Sequence, residues 1–130
     1  MPPRLTSHPT DAELEILNVL WDRGSATVRE VFETLSEERE VGYTTVLKMM
    51  QIMQEKRQLK RNTSERSHRY TPMLKREPVQ RDILRQVIRK VFSGSASGLV
   101  QCAIGHAKTS RSETAKIHAL LKPAKKAGRR

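Results

Sequence analysis

Apolar residues recur at helical spacing near the beginning of the chain. From Leu14 to Trp21 they repeat every three to four positions, which predicts a helix over about residues 11–22. Thr10 and Glu13 stand just ahead of this stripe at the spacing of a capping box, in which each satisfies a backbone N–H of the other. The first helix is therefore predicted to begin at Thr10.

A second helix of the same kind is predicted after a break at Gly24. Thr27 and Glu30 repeat the capping-box spacing, and the apolar residues that follow them form one inner face. An acidic stretch then leads out of this helix to Gly42, where the chain turns into a third helix.

The third predicted helix has one apolar side and one small, polar side. Val46 clusters with the methionines of residues 49–53, whereas Thr44 and Lys48 project from the opposite side. A plain amphipathic helix with a solvated face has the same pattern, so the surrounding elements decide between the two interpretations.

Two short strands are predicted next, at Leu59–Arg61 and His68–Thr71, on either side of the polar turn NTSERS. Three helices followed by a hairpin form the winged-helix arrangement, in which the third helix enters the major groove of DNA and the hairpin, or wing, reaches the backbone. The sequence therefore predicts a mainly α-helical protein with a small β-hairpin, whose N-terminal winged helix-turn-helix domain spans residues 6–74.

The second half of the chain predicts further helices with wide apolar stripes. One long helix carries apolar residues every four positions from Val79 to Val91, a short helix is predicted over about 96–106, and a third follows the capping pair of Ser110 and Glu113. Such helices, poor in aromatic residues, enclose little core alone, and a second copy would bury the stripes.

We therefore predict a helical dimerisation domain over residues 75–122 and a basic disordered tail over residues 123–130. Cys102, among apolar neighbours, is expected to be a buried small hydrophobe. The residues predicted to pair two copies are Val79, Ile83, Val87, Val91, Phe92 and Leu99.

Composition and charge narrow the class of partner. The 130 residues carry a net charge of +11, which favours an anionic partner, either nucleic acid or an anionic membrane surface. Residues 1–40 hold four basic and nine acidic side chains, whereas residues 41–74 hold seven basic and two acidic ones. The segment of the third helix and the hairpin is thus predicted to face an anion. No apolar run approaches the roughly 18 residues of a membrane span, so a soluble cytoplasmic protein without membrane insertion is expected.

Two kinds of DNA contact are predicted from this segment, because base contacts set sequence preference and phosphate contacts set affinity. For some residues another role is open: Thr44 could serve the start of the helix, Tyr43 could pack, and the arginines could be merely solvated. The predicted base-facing residues are Thr44, Thr45, Leu47 and Lys48, and the predicted backbone contacts are Tyr43, Gln51, Arg66, His68 and Arg69.

Catalysis and metal binding are not predicted. The sequence has no glycine-rich phosphate loop and no recognisable nucleophile–base motif, so we expect neither an enzyme nor a cofactor. His8, His106 and His118 have no ligand-like spacing with one another or with Cys102, and no metal site is expected.

The chain resembles the penicillinase-repressor family of bacterial transcription regulators. The resemblance lies in PTDAELEILNVLWDRGSATVREVFETL, GYTTVLKMMQIMQEKRQL, RNTSERSHRYTPM and RKVFSGSASGLV, in that order. It implies a homodimeric repressor of pseudo-palindromic operators in double-stranded DNA, relieved by an external signal such as proteolysis or a ligand. In the antibiotic-resistance branch a membrane sensor-protease is the partner that causes cleavage at an Asn–Phe bond, and here Cys102–Ala103 stands in that place. The copper branch carries a C-terminal cysteine motif, which this chain lacks.

Two alternatives from other classes stay open at the level of sequence. A nonspecific architectural DNA-binding protein would depend mainly on the basic second half, with steep salt dependence and no preferred site. A protein–protein adaptor is also compatible with a winged helix, because a fold does not fix its function.

Overall fold

The first helix begins at the predicted capping box. In the computed structural model, α1 (Asp11–Arg23) starts where the Thr10 hydroxyl accepts from the backbone N–H of Glu13 at 3.1 Å and the Glu13 carboxylate accepts from that of Thr10 at 3.0 Å. The helix ends at Gly24, whose φ of 86° suits glycine because a Cβ would be strained there.

The structure describes residues 8–64, 66–107 and 110–127, with side chains up to residue 121.

The next two helices also begin where the sequence predicts. α2 (Val28–Ser36) is closed by a second complete capping box, between Thr27 and Glu30. α3 (Tyr43–Glu55) starts after Gly42 without a side-chain cap. The apolar periodicity therefore predicts both helices, and the capping box also marks where α2 begins.

A three-stranded antiparallel sheet completes this part of the chain. β2 (Leu59–Asn62) and β3 (Arg69–Pro72) form the predicted hairpin, with three of the four predicted ends shifted by one residue. β1 (Ala26–Thr27) pairs with the other side of β3. β1 was not predicted. It pairs Ala26 with Tyr70, so the sheet connects the start of α2 to the base of the wing.

The core of this part is built mainly from aliphatic residues and methionine. The side chains of α1, α2 and α3 meet in one cluster, which the sheet closes on one side. Its members with 2% exposure or less are Ile16, Leu17, Leu20, Ala26, Val31, Val46, Met50, Met53, Leu59 and Tyr70.

Three further helices follow: α4 (Arg76–Val91), α5 (Ala96–Ala107) and α6 (Arg111–Ala127). The chain divides into two compact units between Ile83 and Leu84, so the first turns of α4 belong to the first unit. The fold class, a winged helix followed by a helical region, is as predicted. The division at residues 74 and 75 remains a prediction, and of the predicted tail, residues 128–130 lie outside the described residues.

The second unit leaves apolar side chains on its surface. α5 and α6 pack against each other around Ile104, Ala107 and Ile117, yet Val91 is 67% exposed. Cys102 is exposed as well, so the expectation that it is buried is wrong for the single chain, because none of the described residues of this unit covers its side chain. Within the described residues, no helix is both long and apolar enough to cross a bilayer.

Candidate nucleic-acid interface

The apolar side of α3 fixes which of its residues face outward. Val46, Met50 and Met53 are at most 2% exposed in the core, so the helix cannot rotate about its axis without exposing them. The opposite side presents Thr44, Thr45 and Lys48, all exposed, near the beginning of the helix. This edge is small, uncharged except for the lysine, and open to a partner.

The beginning of α3 is held against α2 through Tyr43. Its ring meets the ring of Phe32 edge-on, with centroids 5.6 Å apart, and the Arg29 guanidinium carbon lies 5.2 Å from the Tyr43 centroid. Tyr43 is nevertheless 38% exposed. Tyr43 therefore packs against α2, and the part of its side chain that stays exposed is compatible with the predicted phosphate contact.

The end of α3 is anchored by one carboxylate from α1. Glu13, whose side chain is 6% exposed, accepts from the Lys56 ammonium at 2.8 Å and from the Gln58 amide at 3.4 Å. Burial opposes ionisation, but the hydrogen bonds from Lys56 and from the Thr10 N–H, with the charge of Lys56, outweigh it and lower the pKa of Glu13. The carboxylate thus stays charged and connects the two helices.

The backbone closes the same end of α3 tightly. The N–H of Gln58 donates to the carbonyl of Met53 at 2.8 Å, and Arg57 takes a left-handed conformation with φ 64°. A non-glycine residue pays a steric cost in this conformation, because its Cβ approaches the backbone. With Arg57 in this strained conformation, the chain turns directly from α3 into β2.

The residues predicted in the wing occupy two different environments. Arg66 and His68 are exposed at the turn between β2 and β3. Arg69, in contrast, donates to the hydroxyl and the carbonyl of Ser25, each at 3.2 Å, and lies 3.4 Å from the Glu30 carboxylate. Arg69 therefore braces the base of the wing against the start of α2, and its predicted DNA contact would have to use the donors left over.

A groove of about 580 Å³ lies between α2, α3 and the wing. Tyr43, Leu47 and Gln51 line it from α3, one helical turn apart, and Leu47 also packs against the core. From the wing it is lined by Arg61, Arg66, Ser67, His68 and Tyr70, and from the start of α2 by Thr27, Val28, Arg29, Glu30 and Glu33.

The groove brings together five of the nine predicted DNA-contacting residues. Thr44, Thr45 and Lys48 lie instead on the exposed edge of α3, and Arg69 is not among the residues that line the groove. Arg29 also lines the groove but was not singled out from the sequence. For Arg29 a signal existed: a cation in the first turn of a helix is opposed by the helix dipole, so its presence there suggests another role.

Metal-ligating side chains do not gather in the parts of the chain that the structure describes. No group of three or more histidine, cysteine, aspartate or glutamate side chains there could hold an ion.

Comparison with known proteins places these elements among transcription regulators. A family model described as penicillinase repressor matches residues 9–123. The chain is 31% identical over 97 residues to the transcriptional regulator BlaI of Mycobacterium tuberculosis, in both strains CDC 1551 and H37Rv, covering 74% of this chain and 68% of the relative. It is 22% identical over 89 residues to the penicillinase repressor of Staphylococcus aureus, covering 68% of this chain and 71% of that protein.

Proposed function

The chain belongs to the penicillinase repressor family, and from this membership we propose that it represses transcription as a homodimer bound to a pseudo-palindromic operator in double-stranded DNA. One observation carries the proposal beyond the family. The exposed edge of Thr44, Thr45 and Lys48 lies on a helix that is fixed at its start by Tyr43 and at its end by Glu13. A rigid, small and polar helix edge is suited to reading bases.

The exposed edge of α3 supplies the base contacts in this proposal. Threonine hydroxyls donate to or accept from base edges, their methyl groups can contact thymine, and Lys48 suits the acceptors of guanine. Leu47, half-buried at the rim of the groove, adds an apolar contact to a thymine methyl group. Acidic or bulky residues at the first turns would repel or obstruct the duplex, which accounts for the composition of this edge.

Backbone contacts come from the groove and the wing. Tyr43 and Gln51 line the groove from α3, and Arg66 and His68 line it from the wing. Arg69 takes part mainly by holding β3 in place, since two of its donors and its charge are engaged by Ser25 and Glu30. Such contacts would fix the register of the protein on the duplex without reading sequence.

Exposed apolar side chains in the second unit support the homodimer. Val91, Val100 and Leu120 are 67%, 41% and 70% exposed, so pairing with a second copy would remove apolar surface from water. Val79 is 2% exposed within the single chain and has no surface left for a partner. The proposed pairing residues are therefore Ile83, Val87, Val91, Phe92 and Leu99.

A symmetric dimer gives the operator its form. Two copies related by a two-fold axis present two recognition helices, which bind two half-sites related by the same symmetry, about one or more DNA turns apart. The proposal includes relief of repression by an external signal, either proteolysis by a membrane sensor-protease or a ligand. For proteolysis, Cys102 and Ala103 are exposed on α5.

Selection from a random-sequence duplex pool tests the proposal directly. The wild-type chain is expected to enrich one two-fold-symmetric sequence, called here the selected duplex. Lys48→Ala is expected to weaken binding to it by about tenfold and to reduce discrimination, as the loss of one good base contact does. Lys116→Ala, an exposed lysine on α6, is the matched control and should bind as the wild type does.

Three results would contradict the proposal. A duplex pool without any enriched sequence would favour nonspecific coating of DNA. Equal affinities of Lys48→Ala and Lys116→Ala would mean that Lys48 on α3 does not contact the duplex. Light scattering at micromolar concentration is expected to give about twice the chain mass of 14.9 kDa, and a monomer mass would exclude a symmetric operator.

A further inference from the structure

We infer that the groove seats one sugar–phosphate strand of the duplex and that α2 forms its third wall, where Arg29 binds a phosphate and Glu33 opposes the strand. The inference rests on the proposed function and deepens it. It assigns to α2 a phosphate contact in addition to those proposed for α3 and the wing.

The geometry of the duplex leads to this assignment. Adjacent major and minor grooves of B-DNA are separated by a single sugar–phosphate strand. A helix in the major groove and a wing that reaches the neighbouring backbone must therefore have that strand between them. The groove between α3 and the wing has a volume of about 580 Å³. Tyr43 and Gln51 line it on the side of α3, and Arg66 and His68 line it on the side of the wing.

Arg29 is placed in this groove at a position that the helix itself disfavours. It is the second residue of α2, where the dipole of the helix repels a cation. Glu33 stands four residues later, at a spacing that allows an ion pair, yet among the ion pairs of the described residues none joins the two. The guanidinium instead lies over the ring of Tyr43, which holds it at the rim of the groove. A planar guanidinium there suits two phosphate oxygens.

The two carboxylates of the groove, Glu30 and Glu33, differ in how far neighbouring groups balance their negative charge. Glu30 accepts from the Thr27 N–H at 2.9 Å and lies 3.4 Å from Arg69, so its charge is largely balanced. Glu33 is exposed, and within the described part of the chain it forms no ion pair. Its negative charge therefore acts against a phosphate strand in the groove and limits the affinity that Arg29 provides.

Salt dependence distinguishes a phosphate contact from a structural role of Arg29. Arg29→Gln is expected to weaken binding to the selected duplex about tenfold and to reduce the slope of log affinity against log salt by about 0.9 for each bound protomer. Arg29→Lys should keep the slope but bind more weakly than the wild type, because it loses the bidentate geometry. Arg39→Gln is the control, since Arg39 pairs with Glu15 on the surface outside the groove.

Glu33→Gln is expected to act in the opposite direction. Removing an unbalanced charge near the strand should strengthen binding about threefold at low salt. The same measurements on a fixed random-sequence duplex should show both effects, because phosphate contacts do not depend on sequence. Circular dichroism and urea titration of each variant identify any loss of fold.

The outcomes separate this inference from the proposed function. If Arg29→Gln leaves the salt slope as Arg39→Gln does, on either duplex, α2 does not contact the strand and the inference is overturned, while selection of a symmetric duplex would still support repression. If Glu33→Gln binds no more tightly than the wild type, the opposing role of Glu33 is overturned. Absence of any enriched sequence contradicts the proposed function but leaves the Arg29 test valid on the random duplex.

Discussion

Replacing the carboxylate of Glu13 by an amide is expected to loosen the end of α3 from α1. The two carboxylate oxygens accept from the Thr10 N–H at 3.0 Å and from the Lys56 ammonium at 2.8 Å. A glutamine of the same size has one acceptor oxygen, so its amide group would face one of these donors with a donor. Glu13→Gln therefore removes an ion pair and leaves a mismatched hydrogen bond in a site that is 6% exposed.

The size of the effect follows from the burial of the two partners. Breaking a fully buried ion pair costs about 3–5 kcal/mol. The Lys56 side chain is 38% exposed and can regain water, so the expected loss for Glu13→Gln is smaller, about 2 kcal/mol. Urea unfolding followed by circular dichroism should show the midpoint lowered by roughly 1–2 M, given the usual dependence of stability on urea.

Glu15→Gln provides the matched control on the same helix. Glu15 pairs with Arg39 at 2.7 Å, but the two side chains are 38% and 47% exposed, so water and salt screen the pair and its loss should hardly lower the urea midpoint. Equal midpoints for the Glu13 and Glu15 variants would refute the reasoning from burial.

The pH dependence of the Glu13 variant gives an independent check. In the wild type, the pKa of Glu13 is lowered in the folded protein from its ordinary value of 4.5. Ionised Glu13 therefore stabilises the fold above pH 4.5, and this stabilisation is lost as the pH falls through the lower pKa of the folded protein. The difference in unfolding free energy between wild type and Glu13→Gln should therefore shrink below pH 4.5. A difference that stays constant down to pH 3 would contradict a charged Glu13.

Three further variants test other parts of the structure. Arg57→Gly should stabilise the first unit by about 0.5 kcal/mol because φ 64° is unstrained for glycine, and a lower urea midpoint would contradict this. Trp21→Phe removes the hydrogen bond from the indole N–H to the Leu74 carbonyl at 2.8 Å and should cost about 1 kcal/mol in the same titration; an unchanged midpoint would count against it. Val91→Glu places a charge among the proposed pairing residues and should reduce the mass measured by light scattering to that of one chain, whereas a persisting dimer would move the interface elsewhere.

Local rules account for what the sequence could predict. Capping boxes depend on residues three positions apart, so Thr10 with Glu13 and Thr27 with Glu30 could be recognised without knowledge of the fold. The apolar period of α3 similarly identifies Val46 as buried. These signals are sufficient for the three helices and, with the hairpin, for the fold class.

The missing parts depend on contacts distant in the chain. β1 has two residues, too few for an alternating pattern, and exists because Ala26 pairs with Tyr70. Glu13 was recognised as a cap, but its bond to Lys56 spans 43 positions and is not encoded in either neighbourhood. The hydrogen bonds between Arg69 and Ser25 could not be predicted either, because they form only when β1 and β3 are adjacent.

Trp21 makes the first unit its own optical reporter. It is the chain's only tryptophan, and its indole N–H is bonded to the Leu74 carbonyl while the Arg76 guanidinium carbon lies 5.5 Å from the ring centroid. Fluorescence excited selectively in the indole therefore arises from one place, where α1 meets the segment that enters α4. A change in emission wavelength during titration with a duplex would register rearrangement at that place, with no dye attached to the protein.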